Sequence, residues 1–180
     1  MTTATHTLVF LVEDKPGVLS RVASLFRRRG FNIESIAVGH SEVTHLSRMT
    51  IVVSGTALTV EQIRKQLEKV PDVVKVSDIT SENIITRELA LVKVQATAAT
   101  RSEIIEIVDI FRAAIVNVTP DSLTIEITGD EEKTGSFLKL LHGFGIKEIA
   151  RTGRIAMTRG GSGMLSAEKK SSKGDTKKQG

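Results

Sequence analysis

Twice within 180 residues the chain runs through the same succession of patterns: a strand, a helix, two strands, a helix and a strand. An offset of roughly 80 residues, repeated once, gives too few copies for a solenoid and describes two similar units side by side in sequence. In the first unit, residues 7–13 (TLVFLVE) form a continuous apolar run, which predicts a strand buried on both faces. Val18, Leu19, Val22, Leu25 and Phe26 fall at helical spacing with Arg21 and Arg27 to Arg29 on the other side, and Gly30 ends that helix. The apolar phase of FNIESIAVG slips between Ile33 and Ile36, so a bulge is expected in that strand. LSRMTIVVSG follows as a strand with Met49, Ile51 and Val53 on one face. Thr59 and Gln62 read as a capping box for a helix carrying Val60, Ile63, Leu67 and Val70, and 73–79 is the last strand of the unit.

The second unit opens with a strand over 88–96, with Ala90, Val92, Val94 and Ala96 on one face and Lys93 and Gln95 on the other. Thr100 and Glu103 read as a capping box before a helical stripe of Ile104, Ile107, Val108 and Phe111. A hairpin turns at Pro120-Asp121, Asp130 caps a helix with Phe137, Leu140, Leu141 and Phe144, and 146–157 closes as one strand. The fold class read from this order is α+β: two ferredoxin-like βαββαβ domains in tandem, 5–80 and 88–160, joined by a linker over 81–87. Residues 161–180 read as a disordered basic tail, because from Arg159 onward six Lys and Arg face two acids and almost nothing is apolar. That end carries the whole net charge of +4, so the body is neutral and the basic pI does not itself argue for nucleic acid. The tail is either solvated slack or a contact for an acidic partner.

Several function classes drop out. The chain has no cysteine, so disulfides, thiolate metal sites and a Cys nucleophile are excluded. His6, His40, His45 and His142 show no metal-ligand spacing, and neither a nucleophile elbow nor a phosphate-binding loop occurs, so no catalytic residue and no metal ligand is assigned. Glu131-Glu132 begin a helix, where carboxylates suit the positive end of the dipole. A βαββαβ frame that binds RNA stacks bases on aromatic residues of its central strands, and here those strands offer a single Phe. No apolar run reaches the ~20 residues of a membrane span, and MTTATH lacks the regions of a secretory signal, so a cytoplasmic protein is expected.

The remaining candidate is the corner EDKPGVL between the first strand and the first helix. Pro16 fixes its own φ and pushes Lys15 out of helical space, Gly17 gives the backbone freedom, and the helix then opens with free amides at Val18 and Leu19 that suit a carboxylate. Asp14 is an acid that could meet an ammonium. Such a corner is either a tight connection or a grip for the head of an amino acid.

D-x-P-G-[VL]-L on this frame resembles the ACT domain, whose members usually bind amino acids and control metabolic enzymes. HTLVFLVEDKPGVLSRVASLFRRRGFNIESIAVG followed by LSRMTIVVSG is similar to the small, regulatory subunits of acetolactate synthase, and RELALVKVQA, IFRAAIVNVTPDSLTIEITG and EIARTGRIAMTRG resemble their second, ACT-like domain. The likeness covers residues 7–160. It implies a non-catalytic subunit that activates a separate catalytic subunit and makes it sensitive to feedback inhibition by a branched-chain amino acid, usually valine. It further implies that thiamine diphosphate, Mg and FAD reside in that catalytic partner, with no cofactor here, and that the ACT domains pair as a homodimer. Carried onto this sequence, the effector-binding residues are Asp14, Lys15, Pro16, Gly17 and Val18, with Asn32 and Ile33 supplied by the neighbouring subunit. Some members carry Asn where Asp14 stands. Read without the family, Asn32 is either a turn residue after Gly30 or a group facing a partner. The other reading of an ACT-type protein is an amino-acid sensor for a different enzyme or for transcription.

Overall fold

A computed structural model of the chain describes residues 4–160. The expected tail, 161–180, lies outside the described residues. The elements are β1 (Ala4–Glu13), α1 (Val18–Arg28), β2 (Ile33–His40), β3 (Leu46–Gly55), α2 (Ala57–Leu67) and β4 (Val73–Asp78), then β5 (Ile84–Gln95), α3 (Arg101–Ile110), β6 (Ala114–Val118), β7 (Ser122–Gly129), α4 (Glu131–Leu141), β8 (Ile146–Arg151) and β9 (Ile155–Thr158). The strand orders β2-β3-β1-β4 and β6-β7-β5-β8 are the same arrangement twice. Both sheets are antiparallel, and each carries its two helices on one face, so the expected pair of ferredoxin-like α+β domains is what the chain forms.

Alternation along each strand decides which side chains meet the helices. Leu8, Phe10 and Val12 of β1 lie beside Met49, Ile51 and Val53 of β3 and receive Val18, Val22, Leu25 and Phe26 of α1 with Val60, Ile63 and Leu67 of α2. In the second domain Ala90, Val92 and Val94 with Leu123, Ile125 and Ile127 face Ile104, Val108, Phe137 and Leu141. Each of the larger buried side chains contributes about 1.5–3 kcal/mol of burial. Leu140, expected on the buried stripe of α4, is instead half exposed, and Thr134 fills the inner position one turn before Phe137. The bulge expected in β2 is present, since the register to β3 shifts between Ile33 and Ser35.

Two helix starts differ from the sequence reading. α2 begins at Ala57 with Thr56 as its cap, the Thr56 side chain accepting from the Thr59 amide at 3.3 Å, so Thr59 lies inside the first turn. At α3 the Thr100 side chain caps nothing ahead of it. Thr97 and Thr100 instead exchange bonds, Thr97 N donating to Thr100 Oγ1 at 3.0 Å and Thr100 N to Thr97 Oγ1 at 3.3 Å, a box set three residues earlier than expected. Asp130 caps α4 as read, accepting from the Lys133 amide at 2.9 Å.

The junction between the repeats is strand rather than slack from Ile84 onward. β5 runs unbroken from Ile84 to Gln95: its later part pairs with β7 and β8, and Ile84 to Arg87 pair with β9. The single closing strand expected over 146–157 is therefore two strands along one partner. Between Ala90↔Arg151 and Arg87↔Ile155 the β8–β9 side holds one extra residue, with Gly153 at φ 82° taking up the excess. Thr152 bridges the gap, its amide donating to Leu89 O at 3.0 Å and its hydroxyl accepting from the Leu89 amide at 3.1 Å.

This ribbon explains why β1 is buried on both faces. It lies on the helix-free face of the first sheet: Ala156 and Ile84 cluster with Val9 and Ile79, while Arg154 N donates to Ser35 Oγ at 2.7 Å. Arg48 of β3 donates from Nη2 to Ala156 O at 2.9 Å. A Cβ on Gly153 would stand 2.6 Å from Ile36 O, so β2 approaches closer than any other residue would allow.

Candidate functional site

The corner between β1 and α1 is shaped by local backbone preference. Gly17 caps α1 at φ 86°, ψ −10°, the left-handed region that glycine enters without strain, and it has no side chain with which to satisfy the helix amides. Val18 N makes a long bond of 3.4 Å to Lys15 O, and Arg21 N reaches Gly17 O at 3.0 Å. Between them the amides of Leu19 and Ser20 have no partner among the described residues. Two adjacent donors at the positive end of an 11-residue helix are what a carboxylate needs. Nothing lies within 4 Å of where a Gly17 Cβ would be, so no neighbouring side chain fills the space beside the cap itself.

The carboxylates beside the corner divide their partners. Lys15 Nζ lies 2.6 Å from Glu13 Oε2, and that hydrogen bond raises the Lys15 ammonium above its usual pKa. Asp14 donates its amide to His45 O at 2.9 Å, and its carboxylate stands 3.2 Å from His40 Nδ1. Asp72 holds the corner from the other side, accepting the Glu13 amide at its carbonyl, 2.8 Å away, and pairing its carboxylate with Arg21. His40, His45 and Asp72 were not among the residues expected here. No local pattern marks them, because sheet pairing carries the end of β2, the start of β3 and the turn before β4 to the end of β1.

Asp14, Lys15, Pro16, Gly17 and Val18 are thus one contiguous feature, with Asp14 to Gly17 exposed and Val18 buried under the helix. Asn32 and Ile33 do not join them within the chain. They precede and open β2, whose other end, His40, is the one near Asp14, so about 25 Å of strand separates the two groups. Asn32 is exposed, whereas Ile33 packs against the core of the first domain and has mainly its backbone to offer a ligand. β2 is an edge strand of its sheet. Among the described residues no cluster of three or more His, Asp or Glu could hold a metal ion, and no helix is long and apolar enough to cross a membrane.

Comparison with known proteins covers both domains. Residues 8–75 match the family described as AHAS small subunit-like ACT domain, and residues 87–160 match the family described as Small subunit of acetolactate synthase. A probable acetolactate synthase small subunit of Archaeoglobus fulgidus is 57% identical over 86% of this chain and 97% of its own length. The acetolactate synthase small subunit of Mycobacterium bovis is 53% identical over 93% of this chain and the whole of its own. The crystal structure of the acetolactate synthase small subunit from Thermotoga maritima superposes with a TM-score of 0.82 at 46% identity, covering 88% of this chain and 99% of that one. With both domains matched and relatives of this identity aligned along nearly their full length, the chain belongs to the acetolactate synthase small-subunit family.

Proposed function

We infer that this protein is the non-catalytic, regulatory partner of a cytoplasmic acetolactate synthase large subunit, raising its activity and conferring feedback inhibition by a branched-chain amino acid, most simply valine. The observation that supports this most directly is the corner, which carries two unpartnered amides for a carboxylate and, within the same exposed turn, an acid for an ammonium. The thiamine diphosphate, Mg and FAD chemistry belongs to the large subunit in this reading.

The effector site is completed by a second copy. Asn32 and the corner stand at opposite ends of one edge strand, so two β2 edges meeting antiparallel about a two-fold axis would bring Asn32 and Ile33 of one copy to Asp14–Val18 of the other. The bound amino acid then gives its carboxylate to the Leu19 and Ser20 amides, its ammonium to Asp14, and a further polar contact to Asn32. In taking Asp14 it competes with His40, at the end of β2, and β2 is also the strand held by Gly153 and Arg154 of the second domain. A ligand that favours one placement of β2 is therefore felt in both domains and across the dimer, by a coupling of about 1–3 kcal/mol.

Adding this protein to the purified large subunit is expected to raise its rate and to make it inhibited by valine; if neither changes, the reading falls. Calorimetry with valine is expected to show about tenfold weaker binding for Asn32→Ala, the loss of one hydrogen bond to a charged group. Unchanged affinity, or sedimentation as a stable monomer, would remove the shared site.

A further inference from the structure

His40 closes β2 beside the corner, with its Nδ1 3.2 Å from Asp14 Oδ2. The two side chains are 82% and 44% exposed, so theirs is a surface pair, and it is an ion pair only while the imidazole carries a proton. Asp14 is the carboxylate to which the bound amino acid gives its ammonium. The other acids of the corner have cations of fixed charge, Glu13 paired with Lys15 and Asp72 with Arg21. Asp14 alone is paired with a group whose charge changes between about pH 5 and 8.

The surroundings of the ring hold charges of both signs. Across the sheet His40 stands opposite Ser47 of β3, and its neighbour Gly39 opposite Arg48. Arg48 and Arg87 of β5 line the same hollow as His40. Glu42, in the turn that follows, acts on Arg48. His45, in the same turn, gives its carbonyl to the Asp14 amide at 2.9 Å. Asn32 and Ile33, which a second copy would bring to this corner, carry no titratable group. Carboxylates, guanidinium groups and lysine ammonium groups keep their charge between pH 5.5 and 8, so among these neighbours only the two histidines change theirs.

We propose that His40 is a proton-controlled guard of the effector site: protonated, it occupies Asp14 against the ammonium of the amino acid, and neutral, it leaves Asp14 to the ligand. The proposal rests on the reading of the corner as the effector site. Imidazolium and ammonium compete for one carboxylate, so each weakens the binding of the other by the same factor. Valine binding therefore tightens as pH rises through the histidine range, and near about pH 6.5 it releases part of a proton from His40 to the solvent. Acidification would loosen feedback inhibition without any change in the amount of valine.

Calorimetry of the full-length protein with valine between pH 5.5 and 8, in two buffers of different ionisation enthalpy, tests this. Affinity is expected to be about threefold higher at pH 8 than at pH 5.5, the worth of a surface ion pair, with a buffer-dependent heat that reports the released proton. His40→Gln should bind at every pH as the native chain does at pH 8, His40→Lys should bind weakly throughout, and His45→Gln should keep the native pH dependence. NMR titration should find the His40 midpoint lower with saturating valine than without it. Valine binding that is independent of pH, or a pH dependence that survives in His40→Gln, overturns the proposal and leaves the effector corner standing. No valine binding at any pH overturns both.

Discussion

Gly17 stands at φ 86° with open space where a side chain would begin, so its identity is set by the backbone and not by crowding. Gly17→Ala is expected to cost about 1–2 kcal/mol of left-handed strain, offset by less than about 1 kcal/mol from a stiffer unfolded chain. Urea denaturation should show the net loss of about 1 kcal/mol. Gly39→Ala, where space is also open and φ is not positive, should stay within about 0.5 kcal/mol. The corner was legible in sequence because proline and glycine act on their own dihedrals. The pairing of Asp14 with His40 was not, since 26 residues separate them and only the register of β1, β3 and β2 brings them to 3.2 Å. Asn32 was legible as an odd polar residue at a strand start, but its distance from the corner comes only from topology.

Helix α2 carries a small charge relay on its exposed side, Arg64 bonding Glu61 at 2.7 and 2.8 Å and also pairing with Glu68. The hydrogen bond from Arg64 pulls the Glu61 carboxyl from the ordinary 4.5 down to about 2. Its folded-state value is depressed, so any stability it lends is present above pH 4.5 and disappears as pH falls through about 2. Carboxyl NMR titration should find that low midpoint and see it return toward 4.5 in Arg64→Gln. The first turn of the same helix gives a second expectation: Thr56→Ala should cost about 1 kcal/mol in thermal denaturation, the usual worth of a cap, whereas Gln62→Ala should cost nothing measurable. Up to β7 and α4 the existence and order of the elements were readable, because the apolar periods of 2 and 3.6 are strong over these lengths, whereas the start of β5 and the division of the last strand into β8 and β9 were not. The caps of α2 and α3 were not, unlike Asp130 at α4, since Thr56, Thr59, Thr97 and Thr100 are spaced by threes and the same pattern fits a turn earlier or later. The bulge in β2 was readable for the opposite reason, a single slip of apolar phase at Ile33 and Ile36 with one explanation.

At the scale of the whole molecule, the seam between domains turns on Gly153. An added Cβ would stand 2.6 Å from Ile36 O, which is main chain and cannot swing away, and φ 82° adds strain of its own. Gly153→Ala is therefore expected to cost about 2–4 kcal/mol, from backbone strain and overpacking together. Hydrogen exchange should report it as faster exchange of β9 amides with β7 unchanged; a protected β9 in that variant would mean the seam does not depend on this contact. The seam is also where the sequence is least informative, for Ile84 to Arg87 are only the first four residues of β5 and take their role there from pairing with Ile155 to Thr158, which nothing local announces. Because β5 belongs to the second sheet at one end and pairs at the other with β9, which covers part of the first sheet, the first repeat meets that cover only in the presence of the second. A fragment stopping at residue 80 would leave Val9 and Ile79 without that cover and is expected to self-associate more readily than the full chain, which light scattering would measure.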